Sequence, residues 1–251
     1  MTGRLVSTGK EVIRHLAHTL GANRAFDAVR VARGASAKTH LALPAIEDRF
    51  RAIYEKGLWR RGRDEVPGSG EGSTLGATAS LRRELPAILH RVGAKTLLDI
   101  GCGDFTWVKE IPLEQAYIGI DIVRSVIKEN NRLYANEKRR FLCLNAVNDE
   151  LPDADVVLCR EILFHLSFAD ALALLKNVKR PNVQYLIATT DSATLFNADV
   201  RSGDFRVLNL RKAPFRLPAP QFVIDDSVSW PGRTMGVWRR DCIPVDFPGM
   251  E

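Results

Sequence analysis

The fold is decided by two neighbouring stretches, LLDIGCGD at residues 97–104 and YIGIDIV at residues 117–123. Each contains a short apolar run of the length and composition that a buried parallel strand has. Gly101 and Gly103 follow the first run at once, and such glycines form a tight loop in which the backbone approaches a ligand closely. The second run ends in Asp121, 18 residues after Gly103, where nucleotide-binding folds place a carboxylate that holds ribose hydroxyls. The two stretches therefore predict an α/β fold that binds a nucleoside-containing cofactor.

Two features of the first loop separate the cofactors that use this geometry. A dinucleotide requires a third glycine, which lets the helix behind its pyrophosphate pack closely, but Thr106 occupies that position. Asp99 lies just before the first glycine, separated from it by Ile100. A carboxylate at this position would repel a pyrophosphate and attract a cationic ligand. S-adenosylmethionine carries a sulfonium and an ammonium group and no phosphate. The loop therefore favours S-adenosylmethionine over a nicotinamide cofactor. It also disfavours an oxidoreductase that would use the nicotinamide cofactor.

The same stretches resemble motif I and the second motif of class I S-adenosylmethionine-dependent methyltransferases, as DIGCG at residues 99–103 and GID at residues 119–121. One position departs, since Phe105 stands where that family often has a further glycine. Other segments resemble one bacterial group of the family: Trp59 followed, after a longer spacing, by SGEGS at residues 69–73, CGDFTW at 102–107 and FHLS at 164–167. The resemblance covers about residues 75–251. It implies a Rossmann-like sheet of seven mostly parallel strands with a terminal antiparallel hairpin.

Composition limits the class of protein. The 251 residues, 45% hydrophobic and 26% charged, suit one large domain or one domain with an appendage. The four cysteines form no Cys-x-x-Cys pair, so we expect reduced thiols in a cytoplasmic protein rather than a disulfide framework or a zinc site. No apolar run approaches the ~20 residues of a membrane span, and the N-terminus lacks the pattern of a secretory signal.

Positive charge is concentrated near the N-terminus. Residues 1–63 carry 13 Lys or Arg and 5 Asp or Glu, a net charge of +8, whereas residues 64–251 have a net charge of −2. We therefore divide the chain into a basic helical N-terminal arm with a glycine-rich segment, residues 1–74, and a methyltransferase domain, residues 75–251. A basic arm suits docking on the core, a homodimer contact, an anionic substrate, a nucleic acid or a membrane surface. An ordinary solvated helical face explains it as well.

The glycine-rich segment, residues 60–74, follows Trp59 and precedes the first predicted core helix. Its composition fits a flexible linker. It also fits a lid that closes over cofactor and substrate, with Ser69 supplying a polar contact and Trp59 beside it. We favour the lid because of its position in front of the predicted site.

Periodicity places the remaining elements. Helices are predicted over residues 8–34, with Ile13 and Leu16 on the apolar face and a break at Gly21, and over residues 45–56, 75–92 and 125–135. The inward residues are expected to include Ile46, Phe50, Ile53, Tyr54 and Leu133. Ser167 resembles the cap of a further helix that runs through Lys179, and His40 is expected at the surface. Further strands are predicted at residues 140–144, 155–159 and 183–188, and a closing hairpin pairs residues 221–225 with 234–240. Ligands in such a sheet bind at the carboxyl ends of the parallel strands. The side chains that follow each strand are therefore the candidate site.

The expected cofactor contacts combine this placement with the family resemblance. Asn145 and the Ala146 backbone stand where the family reads the adenine edge. The full expected set is Trp59, Ser69, Asp99, Gly101, Cys102, Gly103, Asp121, Ile122, Asn145, Ala146 and Arg160.

Three titratable residues after strands four and five are candidates for catalysis. His165 is the candidate general base, because a neutral imidazole with a pKa of about 6.5 takes a proton from a hydroxyl at neutral pH. Glu161 lies four residues earlier, one helical turn away, and would orient the ring. Asp191 is a second base or a partner for a substrate hydroxyl. A structural assignment stays open, with Glu161 paired to Arg160 and His165 packed. No metal-ligand cluster of convincing spacing is present.

The resemblance implies a small-molecule or glycan acceptor, and we expect O-methylation by in-line transfer without a metal. Residues 197–220 form a long insertion rich in arginine and aromatic residues, which suits a sugar, a phosphorylated acceptor or plain coverage of the sheet. An RNA methyltransferase is favoured by the basic arm. It is disfavoured by CREI at residues 159–162, where base-amino methylases have an Asn/Asp-Pro-Pro-aromatic motif. A non-catalytic binding module that keeps the cofactor fold is the other alternative.

Overall fold

A computed structural model describes residues 13, 16, 23–33, 38–60, 62–179, 182–228 and 232–244. Seven strands form one sheet: β1 Thr96–Ile100, β2 Ala116–Asp121, β3 Arg139–Cys143, β4 Val156–Cys159, β5 Tyr185–Asp191, β6 Phe222–Asp225 and β7 Arg233–Arg239. Their order is β3-β2-β1-β4-β5-β7-β6. Strands β1 to β5 pair in parallel, and β7 pairs antiparallel with both β5 and β6.

This topology confirms the Rossmann-like, seven-stranded, mostly parallel sheet with a terminal antiparallel hairpin. The predicted strand bounds differ from the observed ones by at most three residues. The largest extension is in β5, which continues to Asp191 because it pairs along its whole length with β7, with Asp191 opposite Arg233. The tip of the predicted hairpin, residues 229–231, lies outside the described residues.

Five α-helices occur in the described part of the chain: α1 Asn23–Ala32, α2 Ile46–Glu55, α3 Ala79–Arg91, α4 Arg124–Tyr134 and α5 Phe168–Val178. Helix α3 begins later than predicted and contains Pro86 in its interior. Helix α5 begins at a cap that the sequence predicted, since Ser167 Oγ accepts a hydrogen bond from Asp170 N at 3.1 Å.

Both faces of the sheet are buried, which explains why the parallel strands are continuous apolar runs. Neighbouring residues of β1 point to opposite faces, so Leu98 belongs to one hydrophobic cluster and Leu97 to the other. Helices α2 and α5 pack on the first face and helices α3 and α4 on the second. From α2, Phe50 and Ile53 lie in the same cluster as the strands.

The structure contains two departures from the predicted burial pattern. Leu133, expected as an inward anchor of α4, is 48% exposed. His40, expected at the surface, is buried because the loop at Gly203 packs over it, with His40 Nε2 3.1 Å from Gly203 O.

Most of the predicted N-terminal helix lies outside the described residues. Ile13 and Leu16, two members of its predicted apolar face, are exposed, and a docking or homodimer role stays a prediction. The described part of the chain holds no helix long and apolar enough to cross a membrane. All four cysteines are free of disulfides, and the cytoplasmic location likewise stays a prediction.

Candidate functional site

A cavity of about 920 Å³ opens at the carboxyl ends of β1, β2 and β4. Every residue that the sequence assigned to the cofactor lines this first cavity except Gly103. The fold therefore brings together side chains that lie up to a hundred residues apart in the chain, as expected for the strand ends of an open parallel sheet.

The two loop glycines are required by the backbone. Gly101 and Gly103 have φ of +70° and +55°, a region that side chains other than glycine rarely adopt. A Cβ atom at Gly101 would lie 2.0 Å from Ile162 Cδ1, and one at Gly103 would lie 2.8 Å from Ser69 Cβ. Gly103 thus lies beneath the glycine-rich segment, which explains why it does not line the cavity.

Phe105, at the position that differs from the family pattern, does not obstruct this loop. Its φ is +56°, so the backbone there has the conformation for which a glycine would ordinarily be used. The ring is buried against three other aromatic rings, at centroid distances of 5.0 Å from Tyr117, 5.3 Å from Tyr134 and 5.1 Å from Phe141. It packs in the cluster on the α3–α4 face of the sheet.

Two buried carboxylates border the first cavity. Asp121 accepts hydrogen bonds from Gly103 N at 3.1 Å and Val123 N at 2.9 Å, and burial nevertheless raises its pKa to about 6. Asp99 accepts a hydrogen bond from Tyr117 OH at 2.7 Å, and burial raises its pKa to about 7. Both groups would be stabilised in their charged form by a ligand that donates hydrogen bonds or carries positive charge.

The side chain of Asn145, expected to contact adenine, forms hydrogen bonds within the protein instead. Its amide donates to Glu47 Oε1 at 2.8 Å and accepts from Val147 N at 3.0 Å, because α2 packs over the end of β3 and brings Glu47 to it. The Ala146 N–H donates no hydrogen bond to the described part of the chain. Of the two groups expected to read an adenine edge, the backbone is therefore the one available.

Helix α2 supplies a wall of the first cavity that the sequence analysis missed. Ile46, Phe50 and Tyr54 line it, and burial raises the pKa of Tyr54 well above 10. The amphipathic spacing predicted these inward residues, but it did not show that part of their face borders a cavity rather than the core.

The glycine-rich segment packs across the site. Ser69 Oγ donates to Asp104 Oδ1 at 2.7 Å, Gly72 O accepts from Arg160 Nη1 at 2.8 Å, and Arg63 pairs with Glu71. Beside it, the Trp59 indole lies 5.1 Å from the His165 ring between centroids.

Two arginines and two carboxylates form a buried charge cluster behind β4. Arg160 Nη2 lies 2.9 Å from Asp226 Oδ1, Arg233 Nη1 lies 2.5 Å from Glu161 Oε1, and Arg233 Nε lies 3.0 Å from Asp226 Oδ2. Arg160 lines the first cavity but is occupied by this cluster and by Gly72. Asp226 and Arg233, which flank the loop of the closing hairpin, were not predicted as site residues.

His165 lies in a short 3₁₀ turn, Leu163–His165. Glu161 and His165 are therefore not one turn apart on a common α-helix, as the sequence analysis expected. The His165 Nδ1 atom lies 2.8 Å from Asp204 O. Because a carbonyl oxygen only accepts, Nδ1 carries the proton and Nε2 has the lone pair. Burial lowers the pKa of His165, which keeps the ring neutral near pH 7. Glu161 is bonded to Arg233 instead, so the ring is oriented by a backbone carbonyl.

A second cavity of about 910 Å³ adjoins the first. Trp59, Ser69, Glu161 and His165 line both. The second cavity is also lined by Phe164 and Phe205, and by Asp191, whose Oδ1 accepts a hydrogen bond from Ala193 N at 2.7 Å. Asp191, predicted as a second base or a partner for a substrate hydroxyl, thus lines the second cavity and not the first.

The arginines of residues 197–220 do not line either cavity. Arg206 is fully buried, donates to Leu163 O at 3.3 Å and to Leu166 O, and stacks 4.8 Å above the Phe168 ring centroid. Arg211 and Arg216 are exposed. The described residues also contain no group of three or more His, Cys, Asp or Glu able to hold a metal ion.

Residues 98–181 match the family model of a methyltransferase domain. Among solved structures, the chain is similar to the 1,6-didemethyltoxoflavin-N1-methyltransferase of Burkholderia thailandensis, with a TM-score of 0.51 and 16% identity over 78% of this chain and 91% of that one. It is also similar to the methyltransferase domain of bacterial CtHen1, with a TM-score of 0.45 and 19% identity over 65% and 99% of the two chains. No curated protein matches the chain.

The family match assigns a methyltransferase domain to residues 98–181, and the chain shares its Rossmann-like fold with a solved methyltransferase. The methyl donor of class I methyltransferases is S-adenosylmethionine, in agreement with the cofactor expected from the glycine loop.

Proposed function

We propose that this protein transfers a methyl group from S-adenosylmethionine to a hydroxyl of a neutral small molecule or glycan, with His165 as general base. The observation that carries the proposal is the wall shared by the two cavities, in which His165 lies. A base in that wall is within reach of an acceptor in the second cavity while the methyl donor occupies the first.

The residues of the first cavity fit the cofactor group by group. The Asp121 carboxylate suits the ribose hydroxyls, the Ala146 N–H suits a ring nitrogen of adenine, and the Asp99 carboxylate suits the ammonium of the methionine portion. Burial raises the pKa of the Cys102 thiol, so that this side chain would contact the cofactor as a neutral group. The sulfonium supplies an electrophilic methyl, and the protein aligns the acceptor with it.

His165 is a better proton acceptor than Glu161. The Nε2 atom of His165 makes no hydrogen bond within the described part of the chain, and the ring is neutral at physiological pH. The Glu161 carboxylate is already paired with Arg233 at 2.5 Å. The imidazole would therefore take the hydroxyl proton as the methyl moves.

The lining of the second cavity favours a neutral, partly apolar acceptor. Three carboxylates line it, Glu71, Glu161 and Asp191, against one cation, Arg233. Arg233 is already paired with Glu161 and Asp226, so it does not offer a free positive charge to a phosphate. Trp59, Phe164 and Phe205 supply flat apolar surface.

The experiment is a calorimetric titration with S-adenosylhomocysteine, followed by transfer of an isotope-labelled methyl group to a panel of hydroxylated small molecules and glycans. We expect His165→Ala to bind the cofactor product like the wild type while transfer falls by about 100-fold or more. His90→Ala, which changes an exposed histidine, is the matched control. Full transfer by His165→Ala would remove His165 from the mechanism, and absence of cofactor binding by the wild type would favour a non-catalytic module.

RNA is the second candidate acceptor, favoured by the net charge of +8 in residues 1–63. Binding of RNA that weakens steeply with salt, together with labelled RNA as the reaction product, would support it against the neutral acceptor.

A further inference from the structure

One loop, residues 202–206, contacts the proposed base through both its backbone and its ring. The loop runs along the turn that carries His165. Three hydrogen bonds join them: Gly203 N donates to His165 O at 2.8 Å, His165 Nδ1 donates to Asp204 O at 2.8 Å, and Arg206 N donates to Phe164 O at 3.1 Å. The position of this loop therefore decides where the imidazole lies and which nitrogen carries its proton.

The far side of this loop is held by residues 38–49, which precede and begin α2. Lys38 forms an ion pair with Asp204, and His40 Nε2 donates to Gly203 O at 3.1 Å. Arg49 Nη1 donates to Ser202 O at 3.0 Å. Three successive residues of the loop are thus bonded from one segment that is more than 150 residues away in the chain.

The packing at Gly203 makes this contact a close one. Gly203 has a φ of +100°, and a Cβ atom there would lie 3.3 Å from Arg49 Cβ and 3.4 Å from Leu41 Cδ2. His40 is buried at this point, and its Nδ1 makes no hydrogen bond in the described part of the chain. Burying a histidine with one unsatisfied nitrogen lowers the stability of the fold. An apolar side chain would fill the same space without this cost. The bond to the loop is what distinguishes histidine from such a side chain.

We propose that residues 38–49 form a positioning element for His165. By bonding Ser202, Gly203 and Asp204, the segment holds the Asp204 carbonyl against Nδ1 and so keeps Nε2 as the proton acceptor. The proposal rests on the proposed function, in which His165 is the base. His40 and Lys38 act through the loop and do not touch the reacting atoms.

The test uses nitrogen-15 NMR of the histidine side chains in the full-length protein with S-adenosylhomocysteine. The chain has five histidines, and His165→Gln assigns the His165 signals. We expect the wild type to show His165 protonated on Nδ1. In His40→Leu, which keeps bulk but removes the donor, and in Lys38→Met, we expect the Nε2-protonated form of His165 to become populated. His40→Gln, whose amide donates, should restore most of the wild-type spectrum.

Arg51→Met is the matched control, because Arg51 lies in α2, just after this segment, and within the described part of the chain it forms ion pairs with Asp48 and Glu55 on the exposed side. Identical His165 signals in the wild type, His40→Leu and Lys38→Met would overturn the proposal. If His40→Leu does not fold, Lys38→Met decides, since its ion pair with Asp204 is only partly buried.

A kinetic measurement separates this proposal from the proposed function. With any accepted hydroxyl substrate, His40→Leu should lower kcat by about 10-fold and leave the KM for the cofactor unchanged. If His165→Gln keeps full activity, His165 is not the general base, but a change of tautomer in His40→Leu still supports the positioning element. If the tautomer does not change, residues 38–49 do not position His165, but His165 can still be the base.

Discussion

The backbone of Gly72 lies against the carboxylate of Glu161, where a Cβ atom would be only 2.0 Å from Oε2. The same glycine accepts a hydrogen bond from Arg160 through its carbonyl oxygen at 2.8 Å, and Glu161 is held by Arg233 at 2.5 Å. With a side chain at residue 72, the glycine-rich segment would fit against the charge cluster only if the Glu161 carboxylate moved away. Any larger residue must displace either the segment or the ion pair.

Gly72→Ala should weaken binding of S-adenosylhomocysteine by about 10- to 100-fold, since overpacking costs about 1–3 kcal/mol. Calorimetric titration measures the effect. Gly76→Ala is the control, because no atom lies within 4 Å of its Cβ position. The double variant with Glu161→Ala removes the obstruction and should recover affinity. Unchanged affinity in Gly72→Ala would show that the segment does not close over the cofactor.

Asp99→Asn should stabilise the cofactor-free protein at pH 8. Burial raises the Asp99 pKa from 3.8 to about 7, so the folded state holds the proton more tightly than the unfolded state does. The free energy of unfolding therefore falls as pH rises from about 4 to about 7. Asparagine removes the buried charge and still accepts from Tyr117, and we expect a gain of about 1–4 kcal/mol at pH 8.

Urea unfolding at pH 4 and pH 8 measures this difference, which should disappear at pH 4. Asp153→Asn, at an exposed position, should change neither value. A less stable Asp99→Asn protein at pH 8 would contradict the pKa assignment.

Local sequence patterns were sufficient to predict the sheet and the first cavity. The alternation of apolar runs and glycines around Asp99 and Asp121 depends on contacts within about 25 residues of the chain, and these produced the correct strands. The pairing of Glu161 with its neighbour Arg160, left open from the sequence, occurs at 3.4 Å. The shorter pair of Glu161 with Arg233 and the partners of Arg206 could not be predicted in this way, because they come from distant segments. Glu161 pairs with Arg233 of β7, which sequence spacing does not reveal.

The contribution of α2 and residues 202–206 was missed for the same reason. Phe50 and Tyr54 have the spacing of core residues, and only the sheet shows that they border a cavity. His40, predicted at the surface, is buried by a segment that is distant in sequence. Gly203, which covers it, lies 163 residues further along.

Arg206→Met should destabilise the fold by about 1–3 kcal/mol for the unsatisfied carbonyl groups that it leaves. Arg206 donates to the carbonyl oxygens of Leu163 and Leu166, which border His165 in the chain. Urea unfolding measures the loss. Arg211→Met, an exposed change in the same insertion, should have little effect. Equal stability of the two variants would mean that Arg206 is not needed to hold this turn.

Binding of S-adenosylhomocysteine should weaken as pH falls, because Asp99 and Asp121 in the first cavity must be charged to hold it. Burial raises the Asp121 pKa to about 6, and ribose hydroxyls donate to the ionised form. Protonation below that pH should therefore lower the affinity by up to about tenfold per pH unit.

Two variants separate the contributions of the two carboxylates to this pH dependence. The decrease in affinity near pH 7 belongs to Asp99 and should be absent in Asp99→Asn. Asp121→Asn should bind about 10-fold more weakly at pH 8 and lose the decrease near pH 6. Calorimetry from pH 5.5 to pH 8 separates the two steps, and wild-type affinity in Asp121→Asn would exclude this carboxylate as the ribose ligand.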